Sequence, residues 1–449
     1  MNMASNRVSV GASGGTTPNG GALDFTAYQE LKNGIHRYLL NHLPLENVLL
    51  AEDEETRSQV LATIRAVVAR LKVHFGPQER ENLSLEILEE VFGLGPLEPL
   101  LKDPSVSDIL VNGPKEVYVE RAGVLEETNV TFKNDAHLMH VINKVVSAVG
   151  RRVDQSSPLV DARLSDGSRV HVVLPPLAID GPHLSIRRFA RAPVAESDLI
   201  VNQTLTGAML GLLKAAVAAR LNIVISGGTG AGKTSLLNVL SAYISPKERI
   251  VTIEDSAELQ LKRRHVVRLE CRPANADGRG AVGARQLVIA SLRMRPNRII
   301  VGEVRGEEAL DMLQAMNTGH DGSMTTIHAN SPRDALSRIE TMALMANLNL
   351  PEKAIRKQIA SAIALIVQIE RFHDGTRRLT QVTELTGMER DVVSLQDIFV
   401  FERRGVSPEG RPVGVFSATG IRPKFAERLN ALGFTLPADM FEPARSQAR

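Results

Sequence analysis

The chain has 449 residues, with 53 Lys+Arg against 51 Asp+Glu. That length sets an expectation of about three domains, and the formal net charge of +2 gives little support to a protein built to wrap nucleic acid. One cysteine, Cys271, excludes an intramolecular disulfide and a multi-cysteine zinc site, while the lack of Trp and an aromatic share of 4% argue against a stacking platform for single strands.

Residues 1–22 are polar and rich in Gly, Ser, Thr and Asn, with no apolar signal-peptide core, and read as a disordered tail. Residues 23–77 predict a helical module. Leu31, Ile35, Leu39 and Leu40 recur at helical spacing, as do Val60, Leu61, Ile64, Val67, Val68 and Leu71, before Gly76-Pro77 punctuates the chain. Residues 78–192 predict a compact α+β domain. It has an amphipathic helix over Leu83–Phe92 and another helix over His137–Val149. Strand-type runs fall at Asp108–Val111, Val117–Glu120 and Ser168–Val173, with an Asp166-Gly167 turn ahead of the last. Ala190–Pro193 reads as a hinge, and 193–204 as a linker.

Gly207–Ser226 is the most apolar stretch, but Lys214, Arg220 and Asn222 interrupt it, so it reads as a buried helix followed by a strand. A soluble, cytoplasmic protein is expected, with any membrane role coming through a partner. Across residues 205–449, apolar runs at Asn222–Ser226, Arg249–Ile253, Val266–Glu270 and Arg298–Val301 alternate with helices. That alternation predicts an α/β fold with a parallel sheet. Beyond Pro351 a helix, the run Ala364–Ile369, an Asp374-Gly375 turn and Arg378–Glu384 predict a hairpin.

Gly227-Gly228-Thr229-Gly230-Ala231-Gly232-Lys233-Thr234 matches GxxxxGK[ST] between the strand Ile223–Ile225 and the helical run Leu236–Leu240. Glycines let successive N–H groups form a nest around phosphate oxygens, and the helix N-terminus adds its positive dipole end. Gly228, Thr229, Gly230, Ala231, Gly232, Lys233, Thr234 and Ser235 therefore form the candidate nucleotide-binding set. Lys233 reaches the β- and γ-phosphates of ATP, and Thr234 Oγ ligates Mg²⁺. Such a loop needs a carboxylate at a neighbouring strand end to hold Mg²⁺ and polarise water. Glu303, after Arg298–Val301, is the candidate for both tasks. Glu254-Asp255 is a second strand-end acidic pair, of which at least one member faces the γ-phosphate. An acidic cap on a following helix fits Asp255 and Glu258 equally. His320 and His328 flank a polar stretch after Glu303, where a loop could sense the γ-phosphate; two histidines are too few for a zinc site.

In order, Walker A, TIEDSAEL (Thr252–Leu259), RIIVGEVRG (Arg298–Gly306) and GHDGSMTTIHAN (Gly319–Asn330) resemble the secretion-ATPase superfamily of type II and type IV secretion and pilus systems. The segments at Leu94–Pro114, Val117–Arg121, Gly150–Ala178 and Leu292–Arg338 are similar to the CpaF/TadA-type ATPases of Flp pilus assembly. The likeness covers about Leu83–Phe401. It implies a ring-shaped homohexamer working on inner-membrane platform proteins, with no nucleic acid. Each subunit would carry a helical N-terminal extension, a PAS-like N-terminal domain and a RecA-like P-loop NTPase C-terminal domain. It also implies catalytic roles for Glu303, assisted by Glu254, and for Lys233. N-terminal arginines would reach the phosphates at Arg169 and at Arg187 or Arg188, and His328, with Asp321 and His320, would couple γ-phosphate state to subunit contacts. A RecA-like nucleic-acid motor shares the phosphate loop, with Lys262-Arg263-Arg264-His265 and Arg268 as its best support. A type IV secretion translocation ATPase lies within the same resemblance.

Overall fold

The computed structural model describes residues 34–35, 54–71, 75–164, 166–188, 194–274, 279–346, 350–408, 410 and 412–443. The expected tail, most of the first helical run and the Ala190–Pro193 hinge lie outside the described residues. Two helices, Glu54–Ala69 and Pro77–Phe92, pack against each other through Val60, Ile64, Val68, Leu83 and Ile87.

A six-stranded antiparallel sheet follows. Its strands are β1 (Val106–Asn112), β2 (Val117–Arg121), β3 (Val124–Glu127), β4 (Leu159–Arg163), β5 (Arg169–Val173) and β6 (His183–Arg187). They lie in the order β3-β2-β1-β6-β5-β4. The helix Asp135–Ala148 starts where Asn134 Oδ1 accepts from His137 N at 3.0 Å. It covers the sheet with Leu138, Val141, Ile142 and Val145, which meet Ile109, Val119, Val170 and Leu184. β3 and β4 escape the sequence pattern because they are short and lack regular alternation of apolar and polar residues, whereas β6 alternates in His-Leu-Ser-Ile-Arg, a legible signal that the sequence reading missed.

The second sheet has nine strands. It comprises β7 (Ile223–Ser226), β8 (Ile250–Glu254), β9 (Val266–Glu270), β10 (Arg298–Val301), β11 (Met324–Ile327), β12 (Leu365–Arg371), β13 (Arg377–Glu389), β14 (Val392–Val406) and β15 (Pro412–Ala418). Their order is β15-β14-β13-β12-β7-β11-β10-β8-β9. From β12 to β9 every neighbouring pair is parallel, and β13–β15 add an antiparallel wing. Parallel strands buried on both faces read as continuous apolar runs, and every residue of β7, β8, β10 and β11 is buried.

Two expectations are corrected. The stretch between His320 and His328 is not an open loop, because Met324–Ile327 forms central strand β11 between β7 and β10. Thr325 and Thr326 hid it by their polarity, yet each is 1% exposed. The stretch read as a linker contains the helix Glu196–Val201, whose Leu199 joins the core above the second sheet. Gly207–Ser226 is a buried helix and strand β7. Among the described residues no helix is long and apolar enough to cross a membrane.

At the start of β10, Arg298 is fully buried and binds Glu248 at 2.7 and 2.9 Å, with a third bond to the Gly322 carbonyl at 3.2 Å. Removing one partner of such a pair strands a charge in low dielectric. Glu248→Ala is expected to cost about 3–5 kcal/mol, read as a lowered urea midpoint. The double variant Glu248→Leu/Arg298→Met is expected to recover most of that loss. A loss below about 1 kcal/mol in the single variant would show that the pair holds no buried charge.

Candidate functional site

The carboxyl ends of the parallel strands all open on one edge of the second sheet, the place where open α/β sheets bind ligands. β7 ends at Ser226 and runs into the glycine loop. β8 ends on Glu254, β10 leads to Glu303, β11 leads to His328 and β12 ends on Arg371. These groups line a cleft of about 390 Å³, whose opposite wall is the first sheet with Asp108, Arg169 and Arg187. All of Gly230–Ser235, with Thr229, line it as well; Gly228 lies beneath, its carbonyl accepting from Lys233 Nζ at 2.9 Å.

The loop enters the helix Lys233–Ser241 at Gly232, whose φ of +97° is a left-handed conformation that favours glycine, and no side chain caps that helix. Its first N–H groups therefore remain available to an anion. Lys233 is 7% exposed. Its ammonium donates to Gly227 O at 3.0 Å as well as to Gly228 O, and burial lowers its pKa to about 8 against the raising influence of Glu303. His328 stands beside it, with its ring nitrogens 3.3 and 3.4 Å from Nζ. Burial and the Lys233 charge hold the imidazole below its ordinary pKa, against the raising influence of Glu303. Its Nε2 lies 3.1 Å from Glu303 Oε1.

The two strand-end carboxylates are driven apart. For Glu303 burial opposes ionisation, but the Arg305 hydrogen bond at 2.9 Å and the charges of Arg305, His328 and Lys233 outweigh it, and the pKa falls. For Glu254 burial dominates and the pKa rises. Its Oε2 accepts from the N–H groups of Glu258 and Leu259 at 2.7 and 2.8 Å, while Oε1 is buried with no partner among the described residues. No helix follows β8, so the helix-cap alternative for Asp255 and Glu258 is corrected: Glu254 itself satisfies the turn. Glu258 turns outward and pairs with Arg169 at 2.9 Å.

Arg169, Arg187 and Asp108 lie abreast on β5, β6 and β1, and Arg187 Nε binds Asp108 at 3.1 Å. Arg188 binds backbone instead, donating to the carbonyls of Asp103 and Val106. His320 and Asp321 are corrected out of the site. They precede β11 and so stand at the opposite edge of the sheet, where Asp321 pairs with Arg428. Burial and Asp255 push the Cys271 thiol up to about 12, which disfavours the thiolate.

Three arginines escaped the sequence reading. Arg305 lies two residues beyond Glu303 and bridges it to Asp255 at 3.3 Å. Arg371 and Arg377 flank the Asp374-Gly375 turn. Arg377 Nε donates to Gly230 O at 3.0 Å, while Arg371 binds Glu120 of β2 at 3.1 Å and the Gly123 carbonyl. The GEVRG run offered a signal for Arg305. Only the hairpin's arrival over the loop reveals the other two.

The donors suit a triphosphate with Mg²⁺. The orphaned Glu254 Oε1, the Thr234 hydroxyl and ionised Glu303 are hard oxygens on one wall. Among the described residues no group of three or more His, Cys, Asp or Glu could hold a metal. Any ion would therefore take most of its ligands from phosphate and water, as Mg²⁺ does.

The family described as "Type II/IV secretion system protein" matches residues 90–396. A putative conjugal transfer protein of Mycobacterium tuberculosis is 39% identical over 313 residues, covering 68% of this chain and 88% of that one. The type IV secretion system protein PtlH of Bordetella pertussis is 36% identical over 316 residues, covering 64% and 92%. Among solved structures, the VirB11 ATPase of the Brucella suis type IV secretion system, in complex with sulphate, is 30% identical. That match covers 64% of this chain and 95% of the other, with a TM-score of 0.35.

A Cβ on Gly227 would stand 2.2 Å from Ile369 O, whereas one on Gly228 meets nothing within 4 Å. Gly227→Ala is expected to cost about 1–3 kcal/mol and Gly228→Ala about 0.5 kcal/mol or less, read by thermal unfolding without nucleotide. Equal melting points for the two variants would contradict this packing of the loop on β12.

Proposed function

Because the chain belongs to the type II/IV secretion system protein family, we propose that it is a Mg²⁺-dependent ATPase powering a secretion or pilus machine. The observation that carries the reading is the meeting, on one sheet edge, of a buried loop lysine, an ionised strand-end Glu303 and an opposing pair of arginines. Lys233 and the loop N–H groups bind the phosphates. Thr234 and Glu303 are the residues that would hold Mg²⁺, which would supply charge neutralisation at the phosphates.

Glu303 orients the attacking water, with Glu254 Oε1 as the second carboxylate facing it. The raised pKa of Glu254 makes it the better proton acceptor, while the bonds of Glu303 to Arg305 and His328 suit it to orientation. His328 reports the γ-phosphate. Arg169 and Arg187 leave Glu258 and Asp108 to meet charge spreading over the transferred phosphoryl group as the two sheets close on it. We further propose a PAS-like N-terminal domain and a RecA-like ATPase domain, assembled as a homohexamer on inner-membrane platform proteins without nucleic acid.

Flp pilus assembly is the finer proposal, supported by the motif segments from Leu94 to Arg338. A second reading, type IV secretion translocation, is favoured by the names of the relatives. Deleting the gene in its host separates them. Loss of surface pili with macromolecular transfer intact fits the first, and the reverse fits the second.

Lys233→Ala and Glu303→Gln are each expected to lower kcat for ATP by at least ~10²-fold. Arg187→Ala is expected to lower kcat more than nucleotide affinity. Wild-type turnover in both Lys233→Ala and Glu303→Gln would refute the assignment of the cleft.

A further inference from the structure

Strand β12 is apolar at Leu365, Ile366, Val367 and Ile369, but the residue between them is Gln368, 1% exposed. Its amide nitrogen donates to Ala329 O at 3.2 Å, and its Oε1 has no partner among the described residues. A half-satisfied buried amide is less stable than an apolar side chain of the same shape. Local rules of this kind are broken chiefly at functional sites.

The location gives the amide a task. Gln368 lies abreast of Ser226, the last residue before the phosphate loop, in the parallel β7–β12 register. Ala329, whose carbonyl it holds, directly follows His328. The bond therefore pins the backbone one residue beyond the one that carries the imidazole, and that imidazole lies 3.1 Å from Glu303 and 3.3 Å from Lys233. No other side-chain donor to Ala329 O is present among the described residues.

We propose that Gln368 is a positioning residue for His328, setting the imidazole between Lys233 and Glu303 through its bond to the Ala329 carbonyl. The proposal rests on the reading that His328 acts at the nucleotide phosphates. Gln368 touches neither nucleotide nor Glu303, so its loss acts through His328 and not on binding.

The test is Gln368→Met, which keeps the length and removes the donor, made alone and in a His328→Ala background. Alone it is expected to lower kcat for MgATP about tenfold, with ADP affinity unchanged within about twofold. In the His328→Ala background the same change is expected to alter kcat less than twofold, because its target is gone. A purely structural role would lower the melting temperature and act equally in both backgrounds. Unchanged kcat in Gln368→Met, its full effect persisting without His328, or wild-type turnover in His328→Ala would each overturn the proposal. Lys233→Ala tests the cleft separately. If that variant keeps wild-type turnover, the ATPase reading fails, and amide hydrogen exchange at residues 328–330 decides the positioning alone. Exchange about tenfold faster in Gln368→Met supports it, and an equal rate overturns it.

Discussion

The constraint on which the site depends is an ammonium group held out of water with no carboxylate bonded to it. Among the described residues no ion pair neutralises Lys233; its hydrogen bonds go to two carbonyls of its own loop, and the His328 imidazole stands beside it. Burial lowers its pKa to about 8, so the charge is retained at neutral pH at a cost in stability that an arriving phosphate would reverse. The carbonyl bonds also fold the loop over the lysine and set its curvature. Glu303 is near enough to favour the charge but is committed to Arg305 and His328. The lysine is thereby left for a ligand.

Parallel strand pairing turns that local arrangement into a site. In a parallel register, adjacent strands end at similar heights, and so β8, β10, β11 and β12 deliver Glu254, Glu303, His328 and Arg371 around one loop. The first sheet supplies the opposite wall by a different route. Its antiparallel rungs place Asp108, Arg187 and Arg169 side by side on three strands. Strand β12 serves both walls. It backs Gly227 through the Ile369 carbonyl, pins Ala329 through Gln368, and ends on an arginine bound to Glu120 of the first sheet.

What could be read from the sequence follows from which interactions are local. The phosphate loop and its flanking strand and helix were legible because a glycine pattern and an apolar run lie within a dozen residues. Glu303 was legible because the apolar run Ile299–Val301 of β10 leads to an acid two residues on. β11 was not, because Thr325 and Thr326 are polar residues buried by neighbours that lie about 25 and 100 positions away. The error carried His320 and Asp321 into the site, although a strand separates them from His328. Arg371 and Arg377 were invisible for a related reason. They flank a turn that was read correctly, but their contacts to Glu120 and Gly230 span 251 and 147 residues.

The ion pairs of the first sheet explain how an arginine can be present at the cleft without being fixed there. Arg169 and Glu258 are each about one-third exposed, and Arg187 is more exposed than Asp108. Pairs of that exposure contribute at most about 1 kcal/mol, whereas a guanidinium facing phosphate oxygens makes stronger, geometrically matched bonds. Exchange of partner is therefore downhill once a triphosphate lies on the loop, and it needs no new element of structure. It also has a mechanical consequence. Glu258 hangs from the turn that Glu254 Oε2 holds by two N–H groups, so releasing Arg169 breaks its side-chain bond from that turn to β5, while Arg163 of β4 still donates to Ala257 O at 3.0 Å. On the proposed reading, a nucleotide on the loop would draw Arg169 and Arg187 inward and loosen the link beside the raised-pKa Glu254, so that one binding event would bear on both the closure of the sheets and the surroundings of that carboxylate.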